Sequence, residues 1–270
     1  MIVERIFPPD SKFYNRNRNR FSDFGKKLDA ISITQLFSIW TLTVSGFVLG
    51  TGQENRFVYM DWTGWGYGLI KLIAVTVLFY FILKPKSFWI AGLKRLSGSE
   101  IFLHTFIALL LILIGWIDHR ASIANFIGIT PYIFAFMGCL FAFQVNLEYD
   151  ETKGEWYNFD WDQKEQNFLF STLSLSAAVI LGFYFDDPII STAGMVALPF
   201  PLITLIWPNR IRHLQRVRFY PLFIFAMFLC VRAPWFFIPI ALLFYMLRVV
   251  NYFRYGIVYP SFGVDFSDDL

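Results

Sequence analysis

Between residues 33 and 253, apolar stretches long enough for a bilayer-crossing helix alternate with short polar breaks. The pattern predicts eight spans, at 33–50, 67–83, 101–117, 122–143, 168–185, 188–207, 218–232 and 234–253. Crossing the hydrocarbon core takes about 20 mostly apolar residues in a helix. Only Asp118-His119-Arg120 separates the third span from the fourth, and Asp186-Asp187-Pro188 the fifth from the sixth. Each break reads as the turn of a tight helical hairpin. The last two spans are divided less sharply. From Phe219 to Leu247 only Arg232 is charged, while Pro234 and Pro239 interrupt the pattern, so one kinked helix and seven spans are the alternative. The expected fold is an all-α polytopic integral membrane protein, a bundle of about eight transmembrane helices.

The basic residues orient this bundle. With both termini cytoplasmic, 19 of the 23 Lys and Arg fall on the inner side, and only Arg56, Arg120 and Arg232 fall outside. Lys71 lies within a span. Such a bias is what the positive-inside rule describes. The chain then divides into a polar, basic cytoplasmic segment (1–32), a transmembrane domain (33–253) and a cytoplasmic tail (254–270). Trp62, Trp65, Trp116 and Trp235 fall at outer boundaries, and Trp89 and Trp207 at inner ones, where an indole finds both apolar and wet surroundings.

Composition narrows the class further. The chain is 56% hydrophobic and 16% charged, against roughly a quarter charged in globular chains, so disorder and coiled coil are excluded. A disulfide scaffold is excluded too, because the only two cysteines, Cys139 and Cys230, lie inside apolar runs. A net charge of +3 is too small to imply nucleic acid. Residues 1–32 have no central apolar stretch, so no cleavable signal peptide is expected. The bacterial cytoplasmic (inner) membrane is the expected location, with an organelle inner membrane as the alternative.

Three kinds of inner segment stand out. The first carries Arg16, Arg18, Arg20, Lys26 and Lys27, which with Arg210 and Arg212 are candidate contacts for anionic lipid. The second kind, Pro85 to Arg95 and Pro208 to Arg218, begins with proline and ends basic, and each is long enough for an interfacial helix. Together with the hairpin breaks these two hint at a four-plus-four repeat, both halves in the same orientation, although their residues match poorly. The third, Glu148 to Glu165, holds seven carboxylates against two lysines, with Trp156, Tyr157, Phe159 and Trp161 interleaved. An anionic leaflet repels such a loop. Docking of a partner protein is expected there, through Trp156, Tyr157, Asp160, Trp161 and Asp162, as aromatics anchor interfaces and charges rim them.

Candidate chemistry is sparse. Lys71 and His104 each lie one turn into a span and are expected to snorkel. Lys71, Asp118, His119, Arg120, Asp186, Asp187 and Arg232 form a candidate polar cluster at the outer ends, where Asp118, His119 and Asp187 have the donor types for acid–base work or a divalent metal. Salt bridges and helix capping explain the same residues. No metalloprotease, nucleophile-elbow, phosphate-loop or dinucleotide motif occurs, and no cofactor is expected beyond bound lipids. The leading expectation is a non-catalytic membrane subunit that anchors or organises a larger complex. A small transporter or channel component would instead use Ser171 to Ser176 and Pro199-Phe200-Pro201 near the midplane. A membrane enzyme acting on lipid or isoprenoid would use the outer charges.

Overall fold

The computed structural model describes residues 2–52, 56–91, 94–117, 126–145, 147–150, 155–158 and 164–256, the two short strands by their backbone alone. The chain is helical. A short helix α1 (Ile2–Ile6) precedes α2 (Lys12–Ala30), and the apolar helices follow: α3 (Leu36–Gly52), α4 (Trp65–Phe81), α5 (Gly98–Trp116) and α6 (Thr130–Phe143). After strands β1 (Leu147–Asp150) and β2 (Glu155–Asn158) come α7 (Lys164–Tyr184), α8 (Pro188–Ala197), α9 (Pro199–Ile206), α10 (Ile211–Arg232) and α11 (Phe237–Tyr255). Among the described residues, six helical segments are long and apolar enough to cross a membrane: 33–52, 98–116, 164–184, 188–206, 211–232 and 234–255. Two shorter apolar helices, α4 and α6, have 17 and 14 residues. At 1.5 Å per residue they reach about 25 and 21 Å, less than the roughly 30 Å hydrocarbon core. This is the make-up of a helical integral membrane protein.

The alternative of one kinked helix at 219–247 does not form, and two separate helices occupy that stretch, as the leading expectation has it. Helix α10 ends at Arg232, Ala233 leaves helical geometry, and Pro234–Phe236 make a single 3₁₀ turn before α11 starts. Pro234 lacks the N–H that would continue the ladder, which stops the first helix. Pro221 and Pro239, by contrast, are carried inside helices. The two proposed interfacial helices are corrected as well. Pro85 to Arg95 is no helix in its described residues but a run of turns ending in a single bridge between Ala91 and Lys94. From Ile211 on, the segment that begins at Pro208 is the first part of α10, continuous with the following span. The hint of a repeat therefore loses its second support. In the described part of the acidic segment, β1 and β2 pair antiparallel, Leu147 with Asn158 and Asp150 with Glu155.

The chain forms two compact units, Ser38–Phe236, and Met1–Phe37 with Phe237–Leu270. In the larger unit, small residues set how closely helices approach. A Cβ on Gly46 of α3 would lie 1.8 Å from the Ile112 carbonyl oxygen of α5, and one on Gly115 of α5 would lie 1.8 Å from the Thr43 oxygen. The two glycines thus make a reciprocal backbone-to-backbone crossing, the small-residue packing that membrane helices favour. Helices α6 and α7 are joined where the Ser171 hydroxyl donates to the Gly138 carbonyl (2.7 Å). At the end of this pair, Ala142, Val145, Phe168, Leu214 and Val217 form a fully buried cluster that ties α10 to them. The turn between α7 and α8 closes on Asp186, held at φ 52°, a left-handed conformation that Asp tolerates better than most residues.

The smaller unit packs α2 against the last turns of α11. Tyr14, Tyr252 and Phe253 are its buried centre, and Phe7 and Phe21 close around them. The Tyr14 hydroxyl donates to the Tyr252 carbonyl (3.2 Å), and the Tyr252 hydroxyl to the Phe7 carbonyl (2.6 Å). Three of the six boundary tryptophans are buried rather than belt residues: Trp89, Trp116 and Trp235. Trp235 illustrates why. Its ring lies edge-on to Phe47 and fills the space that a side chain at position 68 would need, so Gly68 makes its pocket.

Candidate functional site

The described charges of the expected outer cluster are placed one by one by the chain ends that they serve. An α-helix leaves its last four carbonyls without intrahelical donors, and cations near that end meet both the carbonyls and the dipole. Lys71, on α4, donates to the carbonyls of Gly115 (2.7 Å) and Ile117 (2.6 Å), so it closes the C-terminus of α5. Its ammonium also stands 5.8 Å from the centre of the Phe47 ring. Snorkelling is therefore corrected to a helix-to-helix cap. His104 is corrected in the same sense. It is fully buried, accepts from the Ile90 N–H at Nε2 (3.0 Å) and donates from Nδ1 to the Glu100 carbonyl (2.7 Å). One donor and one acceptor nitrogen is the neutral imidazole. The histidine holds the turns at 84–91 against α5, with the Trp89 ring tilted beside it at 5.1 Å.

Arg232 is the residue that gathers most. It is 4% exposed, and its guanidinium donates to the Arg56 carbonyl (2.6 Å) and more weakly to that of Thr51 (3.4 Å), near the end of α3. Gly52 leaves room for it, since a Cβ there would sit 3.1 Å from Cζ. The chain from 56 to 61 returns the favour, because the N–H groups of Met60 and Asp61 donate to the last carbonyls of α10, those of Val231 (2.7 Å) and Arg232 (3.1 Å). Asp61 in turn accepts from the Thr63 N–H (2.8 Å), and the Thr63 hydroxyl, joined by that N–H, holds its carboxyl below the ordinary aspartate range.

Asp187 caps α8. Its Oδ1 accepts from the N–H groups of Ile189 (3.0 Å) and Ile190 (3.2 Å), with Pro188 at the first helical position, where a missing N–H costs nothing. Its Oδ2 accepts from the hydroxyl of Tyr132, a buried residue of α6 (2.7 Å). Asp187, Tyr132, Arg56 and Arg232 share the wall of one small pocket, about 60 Å³, completed by Val48, Gly128 and Pro188. The pocket has room for a few water molecules and not for a lipid chain.

Of the expected cluster, the structure thus brings together Asp187 and Arg232. Lys71 serves a different helix end, and Asp186 closes a turn without lining the pocket. Asp118, His119 and Arg120 lie outside the described residues, as do Asp160, Trp161 and Asp162; Trp156 and Tyr157 are placed on β2 by their backbone. Among the described residues no three His, Cys, Asp or Glu side chains converge as a metal site would require. The residues that sequence reasoning missed are Tyr132 and Gly52. Neither carries a charge, and only the pairing of distant helix ends singles them out. No family model matches the chain, and no curated protein or solved structure is similar to it.

Proposed function

We propose that this chain is a non-catalytic membrane subunit that anchors or organises a larger complex, with eight crossings and both termini on the cytoplasmic side. One observation carries the reading: among the described residues, the charged groups Lys71, Arg232 and Asp187, assigned to the outer ends, hold chain ends together. Lys71, Arg232 and Asp187 are each bonded to backbone groups of a terminus. Withdrawing any of them for proton transfer would strand buried carbonyls or N–H groups, at about 1–3 kcal/mol each.

The pairing of ends supports the alternation of crossings. Thr51, Arg56, Asp61, Lys71, Gly115, Tyr132, Asp187 and Arg232 all belong to ends assigned outside, and their bonds are with one another's segments. Ends assigned inside are joined likewise, Leu96 N–H to Gln144 Oε1 (3.2 Å) and Lys164 to Asn209 (2.6 Å). In the smaller unit α2 meets the end of α11, and both are assigned to the inner side.

The acidic segment is the proposed docking element, and the inner membrane the proposed location. The test is purification of the full chain from its native membrane in mild detergent. A complex containing this chain in fixed stoichiometry with other subunits is the expected result. Recovery of the chain alone, at the mass of one or two copies, would overturn the subunit reading. The pocket beside Tyr132 and Asp187 favours a second reading, a binding site for a small polar molecule at the outer face. Its signature would be a ligand whose binding is lost in Tyr132→Phe while the fold is retained.

A further inference from the structure

Helix α2 has two apolar faces; the packing of its own unit covers the first and touches the second at Phe13, whose ring stacks on Phe7 (4.2 Å) and meets Phe253 edge-on (6.2 Å). Tyr14, Phe21, Gly25 and Leu28 lie on the first, against α11. The second is a stripe at positions 13, 16, 20, 24, 27 and 31, spaced three and four apart, which is one line along a helix. It reads Phe13, Arg16, Arg20, Phe24, Lys27 and Ile31. Its apolar members are exposed, at 46%, 43% and 41% for Phe13, Phe24 and Ile31, and its three cations are exposed as well. Arg18 and Lys26 point well away from it, about 160° and 120° around the helix at 100° per residue.

The attitude of α2 follows from its contacts. From Tyr14 to Asp29 the helix runs about 22 Å, yet Tyr14, Phe21, Gly25 and Asp29 meet only Val250, Tyr252, Phe253 and Arg254, about 6 Å of α11. A helix that touches so short a length of its neighbour crosses that neighbour's end. Since α11 belongs to a segment apolar and long enough to span the bilayer, α2 lies across the point where that segment leaves the hydrocarbon.

We propose that α2 is an in-plane membrane helix whose stripe engages an anionic bilayer surface, Phe13, Phe24 and Ile31 entering between headgroups while Arg16, Arg20 and Lys27 bind lipid phosphates. Aromatic side chains beside long cationic ones suit that interface, since the rings seek the acyl boundary and the charged heads stay at phosphate level. Each such cation near an anionic leaflet is worth about fivefold in affinity. The proposal narrows the seven basic residues expected to contact lipid to three, and separates them from Arg18 and Lys26. It rests on α11 crossing the membrane, and not on the subunit reading.

Spin labels in the full chain, with Cys139 and Cys230 replaced by alanine, test this in nanodiscs. The two leaflets of a nanodisc are alike, so the result does not depend on which face is cytoplasmic. With phosphatidylglycerol present, a label at Phe24→Cys is expected to be reached by oxygen and shielded from a water-soluble nickel chelate, and a label at Asn15→Cys the reverse. Arg16→Gln/Arg20→Gln/Lys27→Gln should shift the Phe24 label towards water, while Arg18→Gln/Lys26→Gln leaves it in place. A Phe24 label as open to the chelate as the Asn15 label would overturn the proposal, because the stripe would then face solvent and suit an acidic protein. A label shielded from both reagents would overturn it too, showing a second copy of the chain over the stripe.

Discussion

At the scale of single residues, the polar groups of this chain act as bolts between helix ends. Arg232 shows the logic best, because its fork reaches two carbonyls that belong to different stretches of chain. Lysine has one point of charge and no fork, so Arg232→Lys should keep part of the stabilisation, and Arg232→Leu should lose about 2–3 kcal/mol. Thermal melting in detergent compares the two; equal melting temperatures for wild type and Arg232→Leu would remove the bolt. Gly115 gives the opposite kind of prediction, overpacking in place of lost bonding. A methyl there meets the Thr43 oxygen at 1.8 Å, and the helices must part, so Gly115→Ala should destabilise by about 1–3 kcal/mol. Asp61 supplies a pH dependence. Its carboxyl titrates lower when folded, so its contribution is present above about pH 4 and fades as the pH falls through the lowered value. The group is largely exposed and the effect small; Asp61→Asn should flatten the acid limb of the melting curve slightly.

At the scale of elements, the hydrophobic pattern was most informative where a polar break was short and charged. Asp187-Pro188 reads as an N-cap followed by the first helical residue, and it is one. The pattern was least informative for segments between spans. Composition could not tell that the turns after Lys84 fold onto His104 and that Leu96 is tied to Gln144, since those bonds link residues 14 and 48 positions apart. A local signal did exist at Ser97-Gly98-Ser99-Glu100, a capping box whose carboxylate also meets Lys94 (2.7 Å). Ser97→Ala should cost α5 about 1 kcal/mol, measurable as a lower melting temperature without loss of helix content. The pairing of Gly46 with Gly115 was illegible for another reason: each glycine is ordinary in its own span, and only their meeting makes them necessary. For the acidic segment the docking reading predicts that Trp156→Ala/Tyr157→Ala/Trp161→Ala releases the partner and leaves the helices folded. Unchanged co-purification would place the docking surface elsewhere.

At the scale of the whole molecule, the proposed function rests on a proposed alternation of eight crossings, two of which would be made by α4 and α6, helices shorter than the average hydrocarbon core. Short spans are accommodated by local thinning of the bilayer and by polar residues at their ends, at a modest cost per ångström. Lys71, one turn into α4, is such a residue, and its bonds to the end of α5 keep that cost from falling on an unpaired charge. The alternation also explains why so few charges occupy the spans while so many sit at their ends. Site-directed labelling of single cysteines in sealed, right-side-out vesicles measures it directly, with a membrane-impermeant maleimide. The account predicts that cysteines at Asp61 and Asp186 react from outside, and that cysteines at Lys94, Arg212 and Asp265 react only after the vesicles are opened. Labelling of the Asp265 position from outside, with the others as predicted, would contradict the eight-crossing alternation.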